Sequence, residues 1–134
     1  MDDPGYPSLI SLSFFGFLEE SNEIYINTRK RILSNKNPYF LNGKLGASLG
    51  SAHTTRRNFW PLFTIMRGLT SKDENEIKDC IDMLFKSAEK TGFIHESVNI
   101  DNEEDFTRSW FAWANSFFGL FINHIIENYP HLLK

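Results

Sequence analysis

Apolar positions follow two patterns along the chain: some stretches are apolar nearly all round, and others carry one apolar stripe at helical spacing. After the turn-like Asp2-Asp3-Pro4-Gly5-Tyr6-Pro7, residues 8–18 are of the first kind. Leu9, Ile10, Leu12, Phe14, Phe15, Phe17 and Leu18 predict a short helix buried on most sides. Residues 22–34 predict a second helix, with Asn22 as N-cap, Ile24, Thr28 and Ile32 spaced by four, and a basic C-terminal half that suits the helix dipole. From Asn35 to Gly50, Pro38, the glycines and several asparagines predict a turn-rich loop or a small β-hairpin around Tyr39-Phe40-Leu41.

A third helix is expected from Trp60-Pro61 to near Gly68, because proline is tolerated in a first turn whose N–H groups lack intrahelical partners. Ser71 to Glu74 reads as a capping box. The stripe Ile77, Cys80, Ile81, Leu84, Phe85, Ala88 follows it, and Gly92 is the stop. The last helix, about 104–128, carries Phe106, Trp110, Phe111, Trp113, Phe117, Phe118, Phe121, Ile122, Ile125 and Ile126 over most of its circumference. The reading is all-α, about five helices. Two of them are too apolar for an isolated bundle, which keeps one face of each helix polar, so they are expected to sit inside a larger body.

At 134 residues and 41% hydrophobic content, the chain is one domain or part of one. A net charge of −3 gives no summed positive field for a phosphate backbone, so nucleic acid is not an expected partner. Arg29-Lys30-Arg31 and Arg56-Arg57 read as solvated surface. The single Cys80 forms no internal disulfide and reads as core, and zinc-type Cys/His spacings are missing, so neither a metal site nor a cofactor is expected. No signal-like N-terminal stretch and no apolar run of about 18 residues occurs. The expectation is a cytoplasmic chain without a membrane partner, unless a longer parent carries a signal.

Chemistry concentrates between Gly92 and Asn115. Glu96 lies between a histidine and a hydroxyl, just past a helix stop, and is followed by Arg108, Trp110, Trp113 and Asn115. A positioned carboxylate serves acid/base work on a polyhydroxylated substrate, and aromatic faces with a few polar groups recognise one. The same residues have plainer readings: Glu96 as a cap or surface acid, His95 and His53 as hydrogen-bonded structural histidines, Arg108 as an ion-pair partner, and Trp110 and Trp113 as core.

Together the segments MDD and PSLISL at the start, NTRKRILSNKNPYF, the turn Gly50-Ser51-Ala52-His53-Thr54, WP at 60–61, GLTS at 68–71, TGFIHES at 91–97, FTRSWFAWAN at 106–115 and PHLL near the end carry a family resemblance. The chain resembles the C-terminal part of glycoside hydrolase family 125. These are metal-independent exo-acting α-mannosidases, similar to the six-hairpin (α/α)6 barrel glycosidases. The resemblance implies that Glu96 is the general base of an inverting hydrolysis of a terminal α-1,6-linked mannose in a mannose-containing oligosaccharide. It places Arg108 and Trp110 at the sugar site, with His53, His95, Asp2 and Asp3 as further substrate-binding candidates.

Inversion needs two carboxyl groups roughly 6.5–9.5 Å apart. In the family the acid lies upstream of the matched region, so the missing upstream part of the barrel is the implied partner. The chain is therefore expected to be a C-terminal segment, inactive alone. Alternatives are a carbohydrate-binding or structural remnant without turnover, and a helical protein-interaction module.

Overall fold

A computed structural model describes residues 8–134. It contains four α-helices and two small antiparallel sheets, which corrects the all-α expectation. The helices are α1 (Glu23–Ile32), α2 (Pro61–Leu69), α3 (Glu74–Ala88) and α4 (Ala112–Asn128).

Asn22 caps α1 as expected, its Oδ1 accepting from the N–H groups of Ile24 and Tyr25 at 2.9 and 3.3 Å. The buried face differs from the expected one. Tyr25 and Ile32 are inside and Ile24 is exposed, because the Tyr25 hydroxyl reaches the Ile10 carbonyl at 2.7 Å and sets the rotation of the helix. α2 begins at Pro61, with Trp60 in extended conformation as its N-cap. α3 is capped by Asp73, two residues after the expected cap Ser71: Asp73 Oδ1 accepts from Asn75 N at 3.0 Å. The Ser71 hydroxyl is spent on Glu76, which also accepts from Arg29 and Arg67, each at 2.7 Å. That cluster ties α1, α2 and α3 together.

Residues 8–18 do not form the expected buried helix. Only Leu9–Leu12 make a single 3₁₀ turn, with Ser8 and Ser11 capping each other. The chain then turns through Gly16 at φ +70°, which leaves Phe17 76% exposed. The hairpin expected near 35–50 is present as β1 (Phe40–Gly43) and β2 (Gly46–Leu49).

The second sheet is the larger departure. β3 (Asn58–Phe59), β4 (Ser97–Asn99) and β5 (Asn102–Thr107) form it in the order β3-β4-β5. Asn99 and Asn102 side chains accept from the N–H groups two residues on, at Asp101 and Glu104, and bend the chain back on itself. Val98 then pairs with Phe106, and residues expected to begin the last helix are extended.

The core centres on α2. Leu62 and Ile65 are buried against Ile77, Ile81 and Leu84 of α3 and Phe121 and Ile125 of α4, and Phe63 and Met66 against Ile10, Ile32 and Leu49. A Cβ at Gly68 would collide with the Phe121 ring, so the crossing of α2 and α4 needs a bare backbone there. Cys80 is buried, and burial pushes its thiol up to about 12. No helix among the described residues is long and apolar enough to cross a membrane.

Candidate active site

Gly92 adopts φ +72° after α3, and its N–H donates to the Ala88 carbonyl at 2.7 Å, so α3 ends here and the chain leaves as the loop carrying Glu96. Asn115 of α4 holds this loop from the other side. Its side chain also donates to the Phe111 carbonyl at 2.8 Å, beside the helical bond that carbonyl accepts from the Asn115 N–H at 3.1 Å. His95 is buried with its ring stacked on Phe106, centroids 3.8 Å apart. Its Nδ1 lies 3.3 Å from the Arg108 carbonyl, an acceptor, and its Nε2 lies 3.1 Å from the Thr91 hydroxyl, which fits a neutral imidazole protonated on Nδ1. Burial holds His95 below its ordinary titration range, against the opposing backbone bonds at Arg108 and Ser109.

Glu96 follows, with a side chain 23% exposed. Its N–H donates to the Thr107 carbonyl at 3.2 Å, which extends the β4–β5 pairing by one bond. Its Oε2 accepts from the Thr107 hydroxyl at 3.1 Å and lies 3.2 Å from Arg108 Nε. No described residue hydrogen-bonds Oε1. One carboxylate oxygen is held and the other is left without a bond to a described residue.

Arg108 has φ +50°, a left-handed conformation that is uncommon for a residue with a side chain. The twist lets one residue serve two sides: its carbonyl faces His95, and its guanidinium faces Glu96 and lies 5.7 Å from the centroid of the Phe111 ring. An exposed ion pair of this kind contributes only about 0–1 kcal/mol, so its effect here is orientation more than stability.

These groups border a cleft of about 470 Å³ with Trp60, Trp110, Phe111 and Trp113 as aromatic walls. Trp110 and Trp113 are 58% and 66% exposed. Large exposed indoles around a fixed carboxylate offer stacking faces for a sugar ring and an acceptor for its hydroxyls or for water. Among the described residues that line the cleft, Glu96 is the one carboxylate. No group of three or more His, Cys, Asp or Glu residues that could hold a metal ion occurs among the described residues.

The structure therefore brings Glu96, Arg108 and Trp110 to one cleft. His95 lies behind it as a brace for the loop. His53 is exposed on a turn beside it, its N–H donating at 3.0 Å to the Ser51 hydroxyl that also accepts from Trp60 Nε1 at 3.3 Å. Asp2 and Asp3 lie outside the described residues.

Sequence reading missed Trp60, Phe111 and Thr107 as parts of this site, and carried Trp113 only as a neighbour of its candidates. The plainer reading of Trp110 and Trp113 as a helical i, i+3 core pair does not apply, because α4 begins only at Ala112. The Trp-Pro step at 60–61 was the available signal for Trp60: an N-cap residue lies outside helical geometry, and its side chain is not committed to the helix's packed face.

Comparisons with known proteins place the chain in a family. A family model described as metal-independent alpha-mannosidase (GH125) matches residues 1–123. The meiotically up-regulated gene 157 protein of Schizosaccharomyces pombe is 47% identical over 135 residues, covering 100% of this chain and 26% of that protein. A solved Streptococcus pneumoniae structure superposes with a TM-score of 0.91 at 38% identity, over 96% of this chain and 30% of that one. It is described as a member of a family of metal-independent alpha mannosidases, in a non-productive substrate complex with alpha-1,6-mannobiose. The chain thus spans 26% of the length of the curated relative it matches.

Proposed function

The chain belongs to the GH125 family of metal-independent α-mannosidases, and from that premise we propose that it carries the water-activating half of an exo-acting, inverting α-1,6-mannosidase site. Glu96 is the general base. Its Oε1 takes a proton from water as the water oxygen attacks the anomeric carbon of a terminal mannose, from the face opposite the leaving oxygen. The leaving oxygen receives a proton from a second carboxylic acid, and the sugar departs with inverted anomeric configuration. Trp110 and Trp113 hold the sugar ring, and Arg108 keeps Glu96 aimed.

The observation that carries this reading is the carboxylate itself: it lines an aromatic cleft, with Oε2 tied to Thr107 and Arg108 and Oε1 bonded to no described residue. Because the described residues of the cleft offer a single carboxylate, the reading takes the acid from elsewhere, in a larger (α/α)6 body of which this chain is one part. The match to only 26–30% of the relatives' lengths supports that assignment.

The test is a chimera in which this chain replaces the matching segment of the Streptococcus pneumoniae protein. It should release mannose from α-1,6-mannobiose, seen first as the β-anomer by NMR. Glu96→Gln should lower kcat by about 10²–10⁴-fold, the usual contribution of a positioned base. A Glu96→Gln chimera as fast as its parent, or α-mannose appearing first, would sink the proposal.

The single carboxylate among the described cleft residues also favours a second reading for the chain by itself: mannobiose binding without turnover. Quenching of tryptophan fluorescence by mannobiose with no free mannose produced would support it, and turnover by the chain alone would exclude it.

A further inference from the structure

Behind Glu96 runs a line of three polar side chains that starts in the protein interior. Asn58 of β3 is 1% exposed and donates from Nδ2 to the Ser97 hydroxyl at 3.2 Å. Ser97 of β4, also buried, lies 2.8 Å from the hydroxyl of Thr107, its register partner in β5. Thr107 then donates to Glu96 Oε2 at 3.1 Å.

Proton counting fixes the direction. A carboxylate only accepts, so the single Thr107 hydroxyl proton goes to Glu96. The Ser97–Thr107 bond must then use the Ser97 proton, and the Ser97 oxygen accepts from the Asn58 amide. Each hydroxyl donates once and accepts once. A solvent-exposed threonine would ordinarily rotate its hydroxyl freely, whereas here a buried amide dictates where the proton points.

We infer that Thr107, with its hydroxyl oriented by Ser97 and Asn58, is the positioning residue that locks Glu96 on Oε2 and so reserves Oε1 for the attacking water. The inference rests on the reading of Glu96 as the base. Thr107 itself touches neither water nor sugar.

Three variants separate the hydroxyl from the shape around it. Thr107→Val keeps the volume and removes the donor, Thr107→Ser keeps the donor, and Ser97→Ala frees Thr107 to turn away. In the 134-residue chain, NMR relaxation of the ¹³C-labelled Glu96 side chain reads its order directly. Mobility should rise in Thr107→Val and Ser97→Ala and stay at the parent level in Thr107→Ser.

In the chimera, Thr107→Val should lower kcat about 10²-fold, the usual cost of a misplaced reacting group, with KM within about twofold. Thr107→Ser should restore most of the rate. Glu96 equally ordered in Thr107→Val and the parent overturns the inference whether or not the chimera turns over. So does a full rate in Thr107→Val, or a Thr107→Ser variant as slow as Thr107→Val. If Glu96→Gln abolishes turnover while Thr107→Val does not, the positioning role falls and the base survives. If Glu96→Gln is fully active, the reading of the base falls.

Discussion

Asn115 closes a two-point clamp on the backbone of Ile94: its Oδ1 accepts from the Ile94 N–H at 3.0 Å and its Nδ2 donates to the Ile94 carbonyl at 2.7 Å. A side-chain amide here takes the place of a neighbouring strand, and the loop two residues before Glu96 is fastened to the first turn of α4. Asn115→Ala leaves both Ile94 groups without these partners. An expected loss of about 1–3 kcal/mol follows from the cost of unsatisfied partly buried groups, measurable by urea unfolding. Asn115→Asp keeps the acceptor and loses the donor, so its stability should fall between the two.

His95 sets a pH dependence of stability. Its folded-state titration point lies below the ordinary value of 6.5, so between the two the unfolded chain binds the proton and the folded chain does not. Stability is therefore full above about pH 6.5 and decreases as pH falls below it, by at most about 1.36 kcal/mol per pH unit. It levels off once the folded form is protonated too. His95→Gln, which cannot titrate, should flatten unfolding midpoints between pH 7 and 5. An unchanged slope would exclude His95 as the source.

Arg108 separates backbone strain from ion pairing. Arg108→Gly and Arg108→Ala both lose the contact with Glu96, but only glycine adopts φ +50° at no steric cost. The glycine variant should be the more stable of the two by about 0.5–1 kcal/mol, after allowing for glycine's greater freedom when unfolded. Equal stabilities would mean the turn relaxes when the guanidinium is gone.

The exposed indoles should matter for sugar and not for folding. Trp110→Ala and Trp113→Ala each remove a side chain more than half exposed, so thermal midpoints should move little, an effect within about 0.5 kcal/mol. Mannobiose affinity should drop about 10-fold for each, consistent with losing a stacking face worth roughly 1–1.5 kcal/mol. Retained affinity in the double variant would remove both from the sugar site.

The sequence was most legible where a local rule acts alone. Asn22 as a cap, Pro61 as a helix start, Gly92 as a stop and the hairpin after Pro38 are each set by chemistry within a few residues. Residues 97–107 were not legible in this way, because β4 and β5 are held by partners in β3 and by Asx turns whose long-range consequence is a sheet. Once Phe106 joined a strand, the helix behind it started eight residues later than its apolar run suggested, at Ala112 instead of about 104. Trp110, already a substrate-binding candidate, and Trp113 thereby lie at the cleft and not on the packed face of a helix. Glu96 could be singled out from its neighbours, but not the orientation of its two oxygens, which depends on Thr107 and on Asn58 nearly forty residues earlier in the chain.

The sealed thiol of Cys80 makes this chain a convenient substrate for labelling. A sulfhydryl that is buried and protonated at neutral pH resists maleimides, so a cysteine introduced at Ala112, on the cleft rim, would be the sole reactive one. A dye placed there would report arrival of a sugar without first removing any native residue but that alanine.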